Sequence, residues 1–273
     1  MASGFAAFFI AATARAQQSF QMPSAAQPST GAVLFRQTGE YMKFGHDPTG
    51  LDRDIDQFKL NTQIAFGLTS DLTLMALVPA YERDIDSPQP GVSNDRFRLG
   101  DSHFMLKYRF WQDDTGAIDT KRAGLLAGLD VPTGDGIGNG GWDPMFGVVY
   151  TEIHGRNGIN ASLRYQFNTH DDGRTPVTVN DGLEDTLFVD GSYLFRLSPA
   201  VYDADTHGAL YAMAEVNSTY ETNGDTEVLI APGLMYEARN WVVELSVQLP
   251  VYQALDHRPE LDCAIGLGFR LFF

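Results

Sequence analysis

Alternation at every second residue constrains this chain more than any other feature. In "NGINASLRYQFN", Ile159, Ala161, Leu163, Tyr165 and Phe167 share one parity, while Asn160, Ser162, Arg164, Gln166 and Asn168 share the other. "DSHFMLKYRFW" repeats the pattern, with Phe104, Leu106, Tyr108 and Phe110 alternating with His103, Met105, Lys107 and Arg109. A helix would scatter Lys107 and Arg109 around its circumference, whereas a strand gathers them on one side. From residue 30 onward the same period recurs between turn residues, so the chain reads as β throughout. Strands are expected near 30–44, 53–67, 71–85, 96–111, 121–133, 142–153, 157–169, 184–197, 207–221, 225–237, 240–251 and 261–273. That makes about twelve, an even number as single-chain bacterial barrels have.

Alternation alone fits a soluble sandwich, with its apolar face inward, as well as a membrane barrel, with its apolar face outward. Three features favour the barrel. The expected strands run to about 12 to 16 residues, against a soluble mode of about 5 to 6. At the N-terminus, "FAAFFIAATARAQQ" places an apolar run, Phe5 to Ala12, before the small-x-small pattern Ala14-Arg15-Ala16, as in a secretory signal peptide. "MASG" supplies none of the basic residues that normally precede such a run, so the natural start is expected further upstream. The chain also ends on "GLGFRLFF", in which Phe273, Leu271, Phe269, Leu267 and Ile265 form a wholly apolar face. The expected fold is therefore an all-β, closed antiparallel transmembrane β-barrel of about 12 strands. Residues 1–16 form a cleaved signal peptide, 17–29 a periplasmic N-terminal segment and 30–273 the outer-membrane barrel.

Loop lengths orient it. "LTSD", "GRN" and "ARN" are short and fall at even-numbered junctions; "ERDIDSPQPGVSND", "TGDGIGNGG" and "HDDGRTPVTVNDGLED" are long and fall at odd ones. Short turns face the periplasm in such barrels. Two even junctions, "QDDTGAIDT" and "SPAVYDADTH", are long and break the rule. Aromatic residues, which favour membrane–water interfaces, fall beside both sets of junctions. Phe110, Trp111, Tyr150, Phe195, Tyr236 and Trp241 lie at the periplasmic ends; Tyr81, Phe97, Trp142, Phe167, Tyr220 and Tyr252 lie at the opposite ends.

The polar parity assigns the lumen. It places Lys59, Lys107, Arg109, Arg122, Arg164 and Arg270 inside with Asp101, Asp130, Asp190, Glu215 and Glu244. Isolated charges in a confined space are costly to desolvate, so this mixed-sign lining is expected to pair across the interior. Two readings stay open: structural salt bridges filling a narrow barrel, or a polar constriction that selects solutes. The formal charge of −16 excludes a nucleic-acid footprint. The single cysteine, Cys263, cannot make an internal disulfide and reads as an inert strand thiol.

Several glycine-rich and acidic stretches resemble sites of chemistry at first sight. "PTGDGIGNGG" lacks the Lys-Ser/Thr ending of a phosphate-binding loop and reads as a flexible outer loop. Asp171, Asp172, Asp181, Glu184 and Asp185 read as solvated loop acidity rather than a cation site, and no metal or cofactor is expected. Ser102 and His103 adjoin on opposite faces, so no hydrogen-bonded Ser–His pair is evident and no enzyme is expected.

Alternating hydrophobic residues ending in Phe resemble the sorting signal read by the outer-membrane assembly machinery, carried here by Phe273 with Leu271, Phe269 and Leu267. More of the chain, in "TGAVLFRQTGEYMKF", "FGLTSDLTLMALVPAYER", "LGDSHFMLKYRFW", "AGLDVPTGDG", "LRYQFN" and "VQLPVYQALDHRPELDCAIGLGFRLFF", resembles a family of outer-membrane proteins named for the meta-pathway of phenol degradation. The resemblance implies a barrel in outer-membrane lipid, a small-molecule solute, and passive passage of small hydrophobic or aromatic compounds. A lipid-hydrolysing barrel and a non-conducting structural or surface-binding barrel are the alternatives.

Overall fold

A strand crossing a bilayer finds no hydrogen-bond partners in lipid, so its sheet must close on itself, and this one does. The computed structural model describes residues 18–89, 95–116, 118–170, 173–203 and 205–273; the expected signal peptide lies outside the described residues. The strands are β1 (Val33–Phe44), β2 (Asp54–Gly67), β3 (Leu72–Asp86), β4 (Asp95–Leu99), β5 (Ser102–Asp114), β6 (Thr120–Val131) and β7 (Asp143–His154). They continue with β8 (Asn157–Gln166), β9 (Thr186–Ser198), β10 (Gly208–Glu221), β11 (Thr226–Ala238), β12 (Trp241–Ala254) and β13 (Leu261–Phe272). Neighbours in sequence pair antiparallel except β4 and β5, which both pair with β3, and β1 pairs with both β2 and β13, which closes the ring. β3 pairs with β5 over Leu72–Leu77 and with β4 from Ala80 onward, so β4 and β5 share one place and twelve positions surround the lumen.

The faces turn as the parity requires. Ile159, Leu163, Phe104, Leu106 and Tyr108 are exposed, while Asn160, Ser162 and Lys107 are buried. On β13, Ile265, Leu267 and Phe269 face out, and Ala264, Gly266, Gly268 and Arg270 face in. Such an outward face suits lipid, because an Arg or Lys at the midplane of a barrel's lipid face costs about 2–4 kcal/mol. Most girdle aromatics are exposed, among them Trp241, Tyr236, Trp142 and Tyr252. A bulge between Arg109 and Trp111 leaves both Phe110 and Trp111 exposed. Tyr81 departs from expectation: it shares the inward parity of β3 and lines the interior, with the Lys59 ammonium and Arg83 guanidinium 5.7 and 5.3 Å from its ring centroid.

Three junction details differ from the sequence reading. The expected fourth strand is interrupted at Gly100 and Asp101, where Gly100 N–H donates to the Pro79 carbonyl and Asp101 leaves the ladder. β5 continues to Asp114 and β6 starts at Thr120, opposite it, so most of "QDDTGAIDT", expected to be loop, is paired strand or lies between two closely spaced strand ends. In the other exception, between β9 and β10, Tyr202 turns inward, its hydroxyl 2.7 Å from that of Tyr211.

Candidate functional site: the barrel lumen

The lumen is organised around residues 18–29. The sequence reading treats this stretch as a periplasmic extension; the structure tucks it inside the wall. It enters at the short-turn end, where Gly31 N–H donates to the Gly67 carbonyl, and crosses beneath β5, β7 and β10 to β13. Ser19, Phe20, Met22, Ser24 and Ala25 are all buried.

An irregular strip lacks the internal hydrogen bonds of a helix or sheet, and buried backbone groups without partners are costly. The lumenal side chains supply them. The Glu215 carboxylate accepts from the backbone N–H of Phe20 (2.5 Å), Gln21 (3.0 Å) and Met22 (3.3 Å). Lys107 Nζ donates to the carbonyls of Ser24 and Ala26, and Thr151 Oγ1 accepts from Ala25 N–H at 2.9 Å. Arg36 donates to the Phe20 carbonyl at 2.6 Å, and Arg270 to Gln18 and Ser19 at 2.9 and 3.2 Å. Both arginines also grip Glu244, which is fully buried between them. β13 makes room by lacking side chains: a Cβ on Gly266 would sit 2.5 Å from the Phe20 ring, and one on Gly268 equally close to the Glu244 carboxylate.

The rest of the interior is divided. Behind the strip, Leu194, Ala209, Tyr211, Met213, Met235 and Val242 pack around Phe20, with Tyr202 and Phe272 against them, and fill the β9–β13 side. On the side of β1–β3 and β5–β9 a cavity of about 380 Å³ stays open. Its floor includes Gln21, its roof includes Gly138, Asn139 and residues 178–181, and its wall carries Met42, Met75, Leu77, Met105, Met145 and Phe188. A second cavity of about 80 Å³ shares Gln21, Asn61, Gln63 and Leu77 with it and reaches Arg36.

Two outer loops form the roof. "PTGDGIGNGG" does cradle an anion, but the anion is Asp101, whose carboxylate accepts from Gly134 N–H at 2.9 Å and Gly140 N–H at 3.2 Å. A Cβ on Gly138 would lie 2.2 Å from Asp101 Oδ2, which explains the glycine there. Ile137 and Asn139 are buried, so this stretch is docked onto the barrel rather than loose. Residues 175–181 are pinned by Arg53, which donates to the carbonyls of Thr175 and Pro176, and by the Arg83–Asp181 ion pair at 3.2 Å. Burial pushes the Asp47 carboxyl up, but hydrogen bonds from Arg53 and Thr49 outweigh it and hold that carboxyl below the ordinary range. At the same end His257 bonds Asp225, an interaction that raises its pKa above the usual imidazole value.

Of the eleven residues assigned to the lumen from sequence, Lys107, Asp130, Asp190, Glu215, Glu244 and Arg270 are buried on inward faces. Arg164 pairs with Asp190 at 2.8 Å, Arg109 with Asp71 at the short-turn rim, and Arg122 with Asp114. Lys59 and Asp101 line the open cavity. Leu267, Phe269 and Phe273 are exposed, with Leu271 half-buried beside them. Asp171 and Asp172 lie outside the described residues; Asp181 serves Arg83 and Thr178, and Asp185 accepts from Asn168 N–H and Tyr165. Ser102 Oγ bonds Thr133 Oγ1 at 2.7 Å, whereas His103 bonds Asp130. Sequence reasoning missed Arg36, Glu40 and Arg83. Arg36, Thr38 and Glu40 alternate in "VLFRQTGEYMKF" and could have been assigned by parity. The inward course of 18–29 had no such signal.

The sequence matches, over residues 49–259, the family described as "Putative MetA-pathway of phenol degradation". No curated protein matches it. Among solved structures, the COG4313 outer membrane channel from Pseudomonas putida F1 is similar in fold, with a TM-score of 0.64 at 9% identity, covering 93% of this chain and 100% of that one. The β domain of the Bordetella autotransporter BrkA is similar with a TM-score of 0.51 at 12% identity, covering 90% and 100%.

Proposed function

We propose, from the premise that the chain belongs to this family and is a multi-pass β-barrel of the bacterial outer membrane, that it passes small hydrophobic or aromatic compounds passively. The observation that carries the reading is the open cavity between the N-terminal strip and the loop roof. Its volume, about 380 Å³, falls within the roughly 300–1,000 Å³ of small-molecule sites. Methionine side chains adapt their shape and contact aromatic rings favourably through sulfur, and Met42, Met75, Met105 and Met145 all line this space.

A water-filled pore for large polar solutes fits less well, because the strip and the apolar cluster around Phe20 occupy the opposite half of the lumen. Catalysis is not part of the proposal: Ser102 and His103 bond different partners. The test is uptake of aromatic solutes into liposomes carrying the purified protein, alongside planar-bilayer conductance. Uptake above that of empty liposomes is expected. Absence of both uptake and conductance across a broad solute panel would remove the transport reading, and phospholipid cleavage abolished by a single Ser or His substitution would replace it.

A further inference from the structure

The charged side chains lining the open cavity are nearly all satisfied by the protein itself. Asp101 is held by glycine N–H groups, Asp130 by His103 and Gln166, Asp143 by Thr169, Arg164 by Asp190 and Asp181 by Arg83. Lys59 differs. Its ammonium lies 5.7 Å from the centroid of the Tyr81 ring, and among the described residues it has no hydrogen bond and no ion pair. Glu40 is its register partner on β1, but that carboxylate is engaged by Gln21 at 2.7 Å and by Asn61.

Glu40 and Asp181 act on this ammonium only from a distance, their carboxylates being bonded to other groups, and a ring face answers only part of the charge of a cation that lacks a direct hydrogen-bond partner among the described residues. A carboxylate entering the cavity would give it a charge-assisted hydrogen bond. Leu77, Pro79 and Tyr81 follow one another along the inward face of β3 beside it, and Met42 lies on β1. The cation is flanked by Gln57 and Asn61 on its own strand, while the face beside it on β3, with Met42 on β1, is apolar, which gives a ring or short hydrocarbon body a surface that a small inorganic anion would not use. Glu40 and Asp181 nearby would repel a second negative charge on the same solute.

We propose that Lys59 is the anion-recognition point of this cavity, and that the solute it takes is an amphipathic monocarboxylate, with its carboxylate on Lys59 and its aromatic or short aliphatic body against Leu77, Pro79, Tyr81 and Met42. The proposal rests on the reading that the cavity holds the passing solute, and it narrows that solute from apolar compounds in general to those carrying one acid group.

The experiment compares binding of 4-fluorobenzoate and its neutral counterpart 4-fluorotoluene to the full barrel in lipid nanodiscs by fluorine NMR, with empty nanodiscs subtracted. The variants are Lys59→Met, Lys59→Gln and Lys59→Arg, each checked for the heat-modifiable gel mobility of a folded barrel. The preference for the acid over the neutral compound should fall at least about tenfold in the Met and Gln variants and survive in the Arg variant. A wild-type protein that takes fluorotoluene but not fluorobenzoate, or a preference unchanged by Lys59→Met and Lys59→Gln, overturns the role of Lys59 and leaves apolar passage standing. Failure of both probes to bind would overturn both readings.

Discussion

Glu215→Ala should release the N-terminal strip from the lumen. Glu215 is the single acceptor for three consecutive backbone N–H groups, those of Phe20, Gln21 and Met22, at 2.5, 3.0 and 3.3 Å. Hydrogen bonds to a charged group contribute about 1.5–3 kcal/mol each. They do not sum, since freed N–H groups can find water and Arg36 and Arg270 still hold the carbonyls of 18–20. A net loss of about 3 kcal/mol in docking is therefore expected, which raises the undocked fraction roughly a hundredfold. Ser24 is the natural reporter, being fully buried with a hydroxyl that has no partner among the described residues. In a Ser24→Cys, Cys263→Ala background, membrane-impermeant maleimide should label the strip about a hundredfold faster when Glu215 is Ala, because labelling follows the open population. Glu215→Gln, which keeps an acceptor, should show a smaller increase. Labelling rates equal in the Ala variant and its parent would refute the idea that this carboxylate holds the strip.

Other consequences follow from the same contacts. Glu244→Ala leaves Arg36 and Arg270 buried without their common counter-ion and should cost about 3–5 kcal/mol in urea unfolding of the reconstituted barrel, as breaking a buried pair does. Leu163→Arg, on the lipid face, should cost about 2–4 kcal/mol in the same assay. His257 should titrate by NMR above about 6.5, the free imidazole value, owing first to its hydrogen bond with Asp225. Because the folded pKa is the higher one, the contact stabilises loop 255–260 fully below the unfolded value and fades as pH rises through the folded value. Asp225→Asn should remove both the raised midpoint and the pH dependence of exchange protection in that loop.

Much of the wall was legible in the sequence because a strand has a two-residue period and lipid punishes a wrong parity. Leu163 against Ser162, or Phe104 against Lys107, needs no tertiary information to assign. Tyr81 lies beside a loop, as interface aromatics do, and the inward face of β3 near it carries Met75, Leu77 and Pro79, so hydropathy does not distinguish its inward parity from a lipid-facing one. The interruption at Gly100 and the docking of "PTGDGIGNGG" on Asp101 depend on a contact across 33 residues, which no local pattern encodes. The strip 18–29 is similar. Its sequence, "FQMPSAAQPS", has no period, and its position is set by carboxylates and guanidinium groups supplied by β1, β10, β12 and β13.

The inside-out arrangement of the sheet can be measured directly by placing nitroxide labels one at a time along β8, at Ile159, Asn160, Ala161, Ser162 and Leu163, in protein reconstituted into bilayers. Collision with dissolved oxygen, which concentrates in hydrocarbon, should be high at Ile159, Ala161 and Leu163 and low at Asn160 and Ser162. A flat profile, or one with the buried and lipid-exposed parities exchanged, would contradict the barrel as described.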